Sequence, residues 1–187
     1  MENLLAFFKP YGFSETELAA IAGAFEKKEF PKGYFLAQEG KTSRHLGFIE
    51  QGVFQYFFNQ DGEEITTYVV GANGFVASLV SFFKETPARE NIRAMTDGIL
   101  WLLSKDKLAV LRRDIPAFRE FYIGLLEWQI GCIDDSRLNL LILTAEERYQ
   151  KMLAEEPHLL QQIPLQYLAS ILGVTPRHLS RIRKNIR

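Results

Sequence analysis

Short apolar segments separated by glycines fill residues 30–104, and this texture constrains the fold of the chain more than any other feature. Glycines recur there about every 8–12 residues, a spacing typical of short antiparallel strands joined by turns. HLGFIEQ and VFQYFF are predicted as strands on either side of a turn, and a further strand is predicted after Asp61-Gly62. NIRAMTDGILWLLS indicates another pair of strands. Many short strands at this spacing predict a double-sheet jelly roll or barrel.

Helical patterns flank the strand region on both sides. Ser14 and Glu17 form a capping-box pattern at the start of a helix predicted over residues 14–28. After Ser104, the segment KDKLAVLRRD predicts a short helix. Strands followed by helices, rather than alternating with them, indicate an α+β protein.

A long amphipathic stretch begins at Pro116 and continues for about 28 residues, or roughly 40 Å as a helix. One small domain cannot cover an apolar stripe of this length, so we expect the helix to pack against a second copy of itself in a homodimer. The alternative is a core helix of a single chain. Thr144 and Glu147 form a second capping-box pattern, which predicts a further helix that Pro157 ends.

The composition excludes several classes of protein. Apolar residues make up 47% and charged residues 24%, as in ordinary globular domains. There is no apolar run of the roughly 18 residues that a membrane span needs, and the N-terminus has no signal-peptide pattern. We therefore expect a cytoplasmic protein with no membrane partner. The single cysteine, Cys132, excludes an intramolecular disulfide and a four-cysteine metal or iron–sulfur site, and it is expected to pack as an ordinary helix residue.

Catalysis by a jelly-roll metalloenzyme needs clustered His and carboxylate ligands on the strands. The strand region contains only His45, and the sequence has no His-x-His pair. We expect His45 to be a structural residue rather than a haem ligand. The sequence therefore predicts no metal site, no cofactor and no enzymatic activity.

The C-terminal segment is basic although the whole chain has a net charge of −1. Residues 163–187 contain five Lys or Arg and no Asp or Glu, which indicates an anionic partner. Within this segment, LQYLASILGVTPRHLSRIRKNI has the spacing of a helix-turn-helix. Ala169 allows two helices to cross closely, and Gly173 suits a turn with positive φ. Thr175 and Pro176 favour the cap and first turn of the second helix. The alternative is a small helical hairpin with a solvated basic face.

The second helix of this pair carries the candidate DNA-binding residues. If Leu179 and Ile182 face inward, the polar side chains face outward, and the N-terminal ones can reach base edges in the major groove. Arginine suits guanine because its planar fork matches the O6 and N7 acceptors. The candidate DNA-binding residues are Thr175, Arg177, His178, Ser180, Arg181 and Lys184, of which Ser180, together with Arg183, can hold phosphates.

The order of strand region, long helix and basic helix pair resembles the Crp/Fnr family of bacterial transcription regulators. The resemblance covers nearly the whole chain and is strongest in FLAQEGKTSRHLGFIEQGVFQYFFNQDGEEITTYVVGANGF and LASILGVTPRHLSRIRK. It implies a cyclic nucleotide-binding-like jelly roll, also called a double-stranded β-helix, over residues 1–113. It further implies a dimerisation helix over residues 114–143 and a helix-turn-helix domain over residues 144–187. The implied partners are double-stranded operator DNA, a second copy of the chain and RNA polymerase.

The basic segment departs from the family pattern in two respects. Arg177, Ser180 and Arg181 match the three positions that most often touch bases in the family, but many members have Glu where this chain has Arg177. The preferred DNA sequence is therefore expected to differ. The family usually has a β-hairpin wing after the second helix, and the chain up to Arg187 leaves no room for one, so the wing is expected to be absent or truncated.

The resemblance also places a candidate effector pocket. In the family a Gly-Glu pair holds the ribose of a cyclic nucleotide, and an Arg followed by Ser or Thr holds its phosphate. Ala77-Ser78 and Ala88-Arg89 stand at these two places, so the ribose carboxylate is missing and the arginine is displaced by one residue. A buried phosphate needs a cationic partner, and we therefore expect no binding of cAMP. These four residues and Arg93 form the candidate pocket for an unknown small molecule; Arg89 and Arg93 are alternatively ion-pair residues of the barrel.

The sequence thus predicts a homodimeric DNA-binding transcription regulator with an effector-sensing barrel. A ligand in the barrel would shift the long helices about a hinge near Leu143-Thr144 and so change the spacing of the two second helices. The alternative is a small-molecule-binding module whose helical C-terminus mediates protein contacts.

Overall fold

The computed structural model describes residues 2–186. Its strands are β1 (Glu26–Phe30), β2 (Phe35–Ala37), β3 (His45–Gln51), β4 (Phe54–Gln60), β5 (Glu63–Val70), β6 (Phe75–Val76), β7 (Asn91–Ala94) and β8 (Gly98–Ser104). Its helices are α1 (Glu2–Phe8), α2 (Glu15–Ala24), α3 (Leu79–Lys84), α4 (Lys105–Asp114), α5 (Pro116–Ile142), α6 (Ala145–Glu155), α7 (Pro157–Gln162), α8 (Leu165–Ile171) and α9 (Pro176–Asn185), with a 3-10 turn at Lys9–Tyr11. None of the helices in this described part has both the length and the hydrophobicity to cross a membrane.

The strands form antiparallel sheets with the orders β1-β8-β3-β6 and β2-β7-β4-β5. Except for β4 and β5, strands that follow one another in sequence, such as β3 and β4, lie in different sheets. The chain passes from β3 to β4 at Gly52, whose φ of 109° only glycine adopts without strain. This is the jelly-roll-like arrangement that the glycine spacing predicts. Strand β5 lies at an edge of its sheet, so one side of its main chain has no neighbouring strand.

The chain divides into two compact units. The first comprises the chain through Tyr56 together with Val69–Leu126, and the second comprises Phe57–Tyr68 together with the chain from Glu127 onward. The tip of the β4–β5 hairpin therefore groups with the C-terminal helices, and α5 contributes to both units. The predicted borders at residues 113 and 143 remain a prediction.

The first unit has two apolar clusters. One is built from both sheets and includes Ile49, Phe54 and Leu100, which are completely buried. The other joins α1, α2 and α4 to the first half of α5, and its rings include Phe8 and Phe118 at 6.3 Å between centroids. Burial of each such large apolar side chain stabilises the fold by about 1.5–3 kcal/mol, so these clusters fix the barrel that carries the candidate pocket.

Helix α2 is shorter than the sequence indicates, and the predicted helix over residues 14–28 is wrong over its last four residues. The predicted capping box at Ser14 is present, but the helix ends at Ala24. Residues Glu26–Phe30 instead form β1, which pairs with β8 along its whole length. The main-chain hydrogen bonds of that pairing override the helix propensity of Glu and Lys.

The long helix begins and ends close to where the sequence predicts. It starts at Pro116 and ends at Ile142. Thr144 then caps α6, because its hydroxyl accepts a hydrogen bond from the Glu147 amide at 3.2 Å while the Glu147 carboxylate accepts one from the Thr144 amide at 2.8 Å. The segment between α5 and α6 is thus short and capped, and the hinge near Leu143-Thr144 remains a prediction.

Candidate functional site

Two short helices, α8 and α9, cross closely near the C-terminus because the sequence places small and flexible residues at the crossing. Ala169 of α8 is completely buried, and its carbonyl accepts a hydrogen bond from the Val174 amide at 3.0 Å. Gly173 has a φ of 66°, the left-handed conformation that reverses the chain after a helix. No atom lies within 4 Å of where its Cβ would stand, so the backbone conformation alone demands glycine here.

The start of α9 is fixed by its cap. The Thr175 hydroxyl accepts a hydrogen bond from the His178 amide at 3.2 Å, and Pro176 occupies the first turn. Leu179 and Ile182 are buried against α8, where Leu168 and Leu172 are also buried. The helix therefore has one face that packs and one face that solvent covers.

The exposed face of α9 is cationic. Ser180 donates a hydrogen bond to the Pro176 carbonyl at 2.9 Å within the helix. Residues 163–187 contain no Asp or Glu, so the face has no acidic neighbour in its own segment. The structure thus places all the residues expected to contact DNA on one short helix and its cap. The exposed residues are Thr175, Arg177, His178, Ser180, Arg181, Arg183 and Lys184.

Arg148 of α6 braces this helix pair, and sequence reasoning missed it. Its Nη2 donates to the Leu172 carbonyl at 2.7 Å, and its Nη1 donates to the Leu143 carbonyl. Leu143 follows α5, and Leu172 caps the end of α8. One guanidinium therefore connects the end of the long helix with the turn before α9. An Arg in the first turn of a polar helix gives no sequence signal of this role.

A second contact joins α8 to the β4–β5 hairpin within the same compact unit. The Ser170 hydroxyl accepts a hydrogen bond from the Thr66 amide at 2.8 Å and donates one to the Thr66 carbonyl at 3.1 Å. Beside this contact lies an open cleft of about 500 Å³. Its lining residues are Ile65, Ser170, Gly173, Val174, Thr175 and His178.

The candidate effector pocket lies where β6, α3 and β7 follow one another, and its polar groups are satisfied by the chain itself. Ser78 is buried and its hydroxyl hydrogen-bonds the Glu90 carboxylate. The Ala77 amide donates to the Tyr56 hydroxyl at 3.1 Å. The Ala88 amide donates to the Lys41 carbonyl at 3.0 Å. Three groups that a ligand would need are therefore already paired.

The two arginines of the candidate pocket lie in different surroundings. Arg93 donates from Nη2 to Oε1 of the buried Gln55 at 3.0 Å, and its guanidinium lies 5.9 Å from the Phe35 ring centroid. Arg89 is exposed. The structure therefore does not bring Arg89 and Arg93 together as a pair around one buried anion.

Glu90 adds a carboxylate to this region that the sequence analysis missed. Burial raises the pKa of Glu90 above its ordinary value of 4.5, and the hydrogen bond from Ser78 partly offsets the rise. A carboxylate that is already costly to ionise disfavours a second anion nearby. The arrangement thus opposes a phosphate at Ser78 rather than attracting one. No cluster of three or more metal-ligating side chains occurs among residues 2–186.

Comparison with known proteins agrees with this architecture. Residues 27–114 match the protein-family model described as the cyclic nucleotide-binding domain. This part of the chain is therefore similar to that domain. Solved structures similar to the chain include regulators of the Crp/Fnr type. No curated protein is significantly similar to the chain in sequence.

Three solved structures illustrate the likeness. The catabolite activator protein of Thermus thermophilus is 21% identical with a TM-score of 0.59, and the match covers 96% of this chain and 85% of that one. CLP, a c-di-GMP responsive global regulator of Xanthomonas campestris, is 19% identical with a TM-score of 0.68 and coverages of 92% and 91%. FixK2 of Bradyrhizobium japonicum is 15% identical with a TM-score of 0.73 and coverages of 87% and 84%. At these identities the likeness concerns the fold.

Proposed function

We propose that this chain is a homodimeric DNA-binding transcription regulator of the Crp/Fnr type, without enzymatic activity, whose barrel responds to an effector other than cAMP. The observation that carries the proposal is the exposed cationic face of α9, which is held on a capped helix that crosses α8 at a buried alanine. A helix-turn-helix of this geometry offers its second helix to the major groove. Such a regulator acts in the cytoplasm, with RNA polymerase as a further partner.

Each exposed residue of α9 has a role in this proposal. Arg177, Ser180 and Arg181 contact base edges, where an arginine paired with guanine is worth about 1–3 kcal/mol of discrimination. Thr175, His178 and Lys184 contact the sugar-phosphate backbone and fix the register of the helix on the duplex. Arg183, which is also exposed, adds a phosphate contact.

The exposed apolar side chains in the second half of α5 support the homodimer. Trp128 is 63% exposed and Leu141 is 73% exposed, although both are large apolar side chains of a long helix. A second α5 would cover them in a paired helix and would bring two α9 helices onto half-sites about 34 Å apart. The exposed apolar residues of this half of α5 are Trp128, Ile130, Ile133, Leu138, Leu140, Leu141 and Ile142.

The pairing inside the candidate pocket supports an effector other than cAMP. A cyclic phosphate brings a negative charge that needs a cation in its place. Here Ser78 bonds to Glu90, and the Ala77 amide bonds to Tyr56. We expect cAMP to leave the thermal unfolding midpoint unchanged at concentrations up to about 1 mM, where a ligand of micromolar affinity would raise it clearly.

Selection of bound fragments from a random duplex pool, followed by titration of the best fragment at several salt concentrations, tests the proposal. We expect one enriched sequence with two-fold symmetry and an affinity that falls steeply with salt, because each phosphate contact releases counterions. If no duplex is enriched while a small molecule raises the unfolding midpoint, the chain is instead a ligand-binding module whose C-terminal helices serve protein contacts.

A further inference from the structure

The side chain of Ser170 hydrogen-bonds the main chain of Thr66 in the way that a neighbouring strand would. The hydroxyl of Ser170 satisfies both the amide and the carbonyl of Thr66, at 2.8 Å and 3.1 Å, across 104 residues of sequence. Thr66 belongs to β5, an edge strand, yet it is only 1% exposed. Water therefore competes poorly for these two hydrogen bonds, and they are worth more than exposed ones.

The turn at Gly173 connects Ser170 with the start of α9. Ser170 lies close to the end of α8, and the Gly173 amide donates to the Ser170 carbonyl at 3.0 Å. Ile65, the residue before Thr66, shares the cleft with Thr175 and His178 at the start of α9. The hairpin thus lies beside the end of α9 whose side chains would approach DNA first.

The hairpin is strongly acidic. Residues 57–68 contain Asp61, Glu63 and Glu64 and no Lys or Arg. Glu63 and Glu64 are within two residues of Ile65, which is less than about 8 Å along the chain. That is about one Debye length at physiological ionic strength, so we expect the net negative charge of the hairpin to disfavour phosphates that approach Thr175 and His178.

We propose that the Ser170–Thr66 contact holds the α8–α9 pair beside the acidic hairpin in a state of low DNA affinity, and that breaking the contact raises the affinity. Because β4 and β5 continue from this hairpin into the barrel sheet, the hairpin connects the barrel with α9 directly, without passing through α5. Ser170 is then a positioning residue for DNA binding. The inference rests on the proposed function.

The test compares the full-length wild type with Ser170→Ala, and with Ser170→Thr as the matched control that keeps the hydroxyl. Hydrogen exchange at the Thr66 amide reports the contact, and titration with the selected duplex reports the DNA affinity. Loss of two sheltered hydrogen bonds is expected to speed exchange of the Thr66 amide about tenfold and to tighten DNA binding about three- to tenfold. Ser170→Thr should behave like the wild type in both measurements.

A second variant keeps the inference falsifiable if Ser170→Ala folds poorly. Glu63→Gln with Glu64→Gln leaves Ser170 intact and removes two carboxylates, so it should also tighten DNA binding, with an effect that fades at high salt. Unchanged or weaker DNA binding by Ser170→Ala, or slow exchange at Thr66 in that variant, overturns the inference and leaves the proposed function standing. A wild type that binds no duplex overturns both.

Discussion

Nη2 of Arg148 lies 2.7 Å from the carbonyl oxygen of Leu172, and the same guanidinium also donates to the Leu143 carbonyl. One side chain therefore holds both the C-terminal end of α5 and the turn before α9. Any rotation of α5 about its last residues has to move this guanidinium, which makes Arg148 a physical link between α5 and the turn before α9.

Arg148→Ala should destabilise the second compact unit by about 1–3 kcal/mol, because it leaves two carbonyls without their charged donor. Arg148→Lys should recover only part of this, since an ammonium cannot span both acceptors as a planar fork does. Urea unfolding measures the loss. Arg137→Ala is the control: Arg137 pairs with Asp134 at 2.8 Å on the exposed surface of α5, and its removal should cost less than about 1 kcal/mol. If Arg148→Ala and Arg137→Ala lose the same free energy of unfolding, Arg148 does not stabilise the helix pair in this way.

Gly173→Ala should cost about 1–2 kcal/mol, because an alanine at a φ of 66° is strained although its Cβ meets nothing within 4 Å. Gly173→Asn should cost less, since Asn tolerates this conformation. Gly124 of α5 offers a control of opposite sign, because it also has open space at its Cβ but has no positive φ. Gly124→Ala should stabilise the helix by about 0.5–1 kcal/mol. Thermal unfolding distinguishes the two, and a stabilising Gly173→Ala would show that the turn relaxes to another conformation.

Arg181→Ala and Lys184→Ala should weaken DNA binding in different ways. Arg181→Ala should lose about 1–3 kcal/mol of discrimination at one base pair, whereas Lys184→Ala should weaken all sequences alike and reduce the salt slope by about 1. Titration of the selected duplex and of single-base variants at several salt concentrations separates these effects. If both variants lose only salt-dependent affinity, α9 does not read base edges through Arg181.

Ile133→Glu should disrupt the homodimer, because Ile133 is 52% exposed on the apolar side of α5 and a second helix would bury it. We expect the dissociation constant of the dimer to rise at least about 100-fold, because the variant replaces a buried apolar side chain by a charge without a partner. Val110→Glu introduces the same charge at an apolar residue of α4 that is 46% exposed and lies outside α5, and it should leave the dimer intact. Sedimentation velocity measures both. A wild type that is monomeric at micromolar concentration would remove the basis for the pairing of α5.

Glu90 should make stability depend on pH in the weakly acidic range. Burial raises its pKa in the folded protein above 4.5, so the folded state holds a proton that the unfolded state has released. Stability from this group is therefore present below the ordinary pKa and is lost as pH rises through the raised one. Glu90→Gln should remove this part of the profile. Unfolding free energies of both proteins between about pH 4 and about pH 7 should diverge in favour of the variant as pH rises, and parallel profiles would refute the assignment.

The sequence was a good guide where structure is set by near neighbours. The capping boxes at Ser14 and Thr144, the turn at Gly173 and the extent of α5 all follow from local patterns. The prediction of a helix over residues 14–28 was wrong over its last four residues because the partner of β1 lies in β8, which no local pattern reveals. The same holds for Ser170 and Thr66, whose pairing spans 104 residues.

The candidate pocket shows the same division. The family spacing pointed to Ala77 and Ala88 as a candidate site, which remains a prediction, and the missing ribose carboxylate was visible as Ser78. The partners that occupy the region, Glu90 and Tyr56, became apparent only when folding brought the strands together. Side chains that form hydrogen bonds with residues distant in sequence leave no periodic pattern in the sequence.

The Tyr56 hydroxyl accepts a hydrogen bond from the Ala77 amide at 3.1 Å and therefore occupies this donor as an intramolecular ligand. Because it is joined to the chain, its local concentration is that of an intramolecular group, in the millimolar range or above. Any free molecule that uses this amide has to compete against it. Tyr56→Phe would keep the ring that packs against the barrel core and remove this competitor from the Ala77 amide.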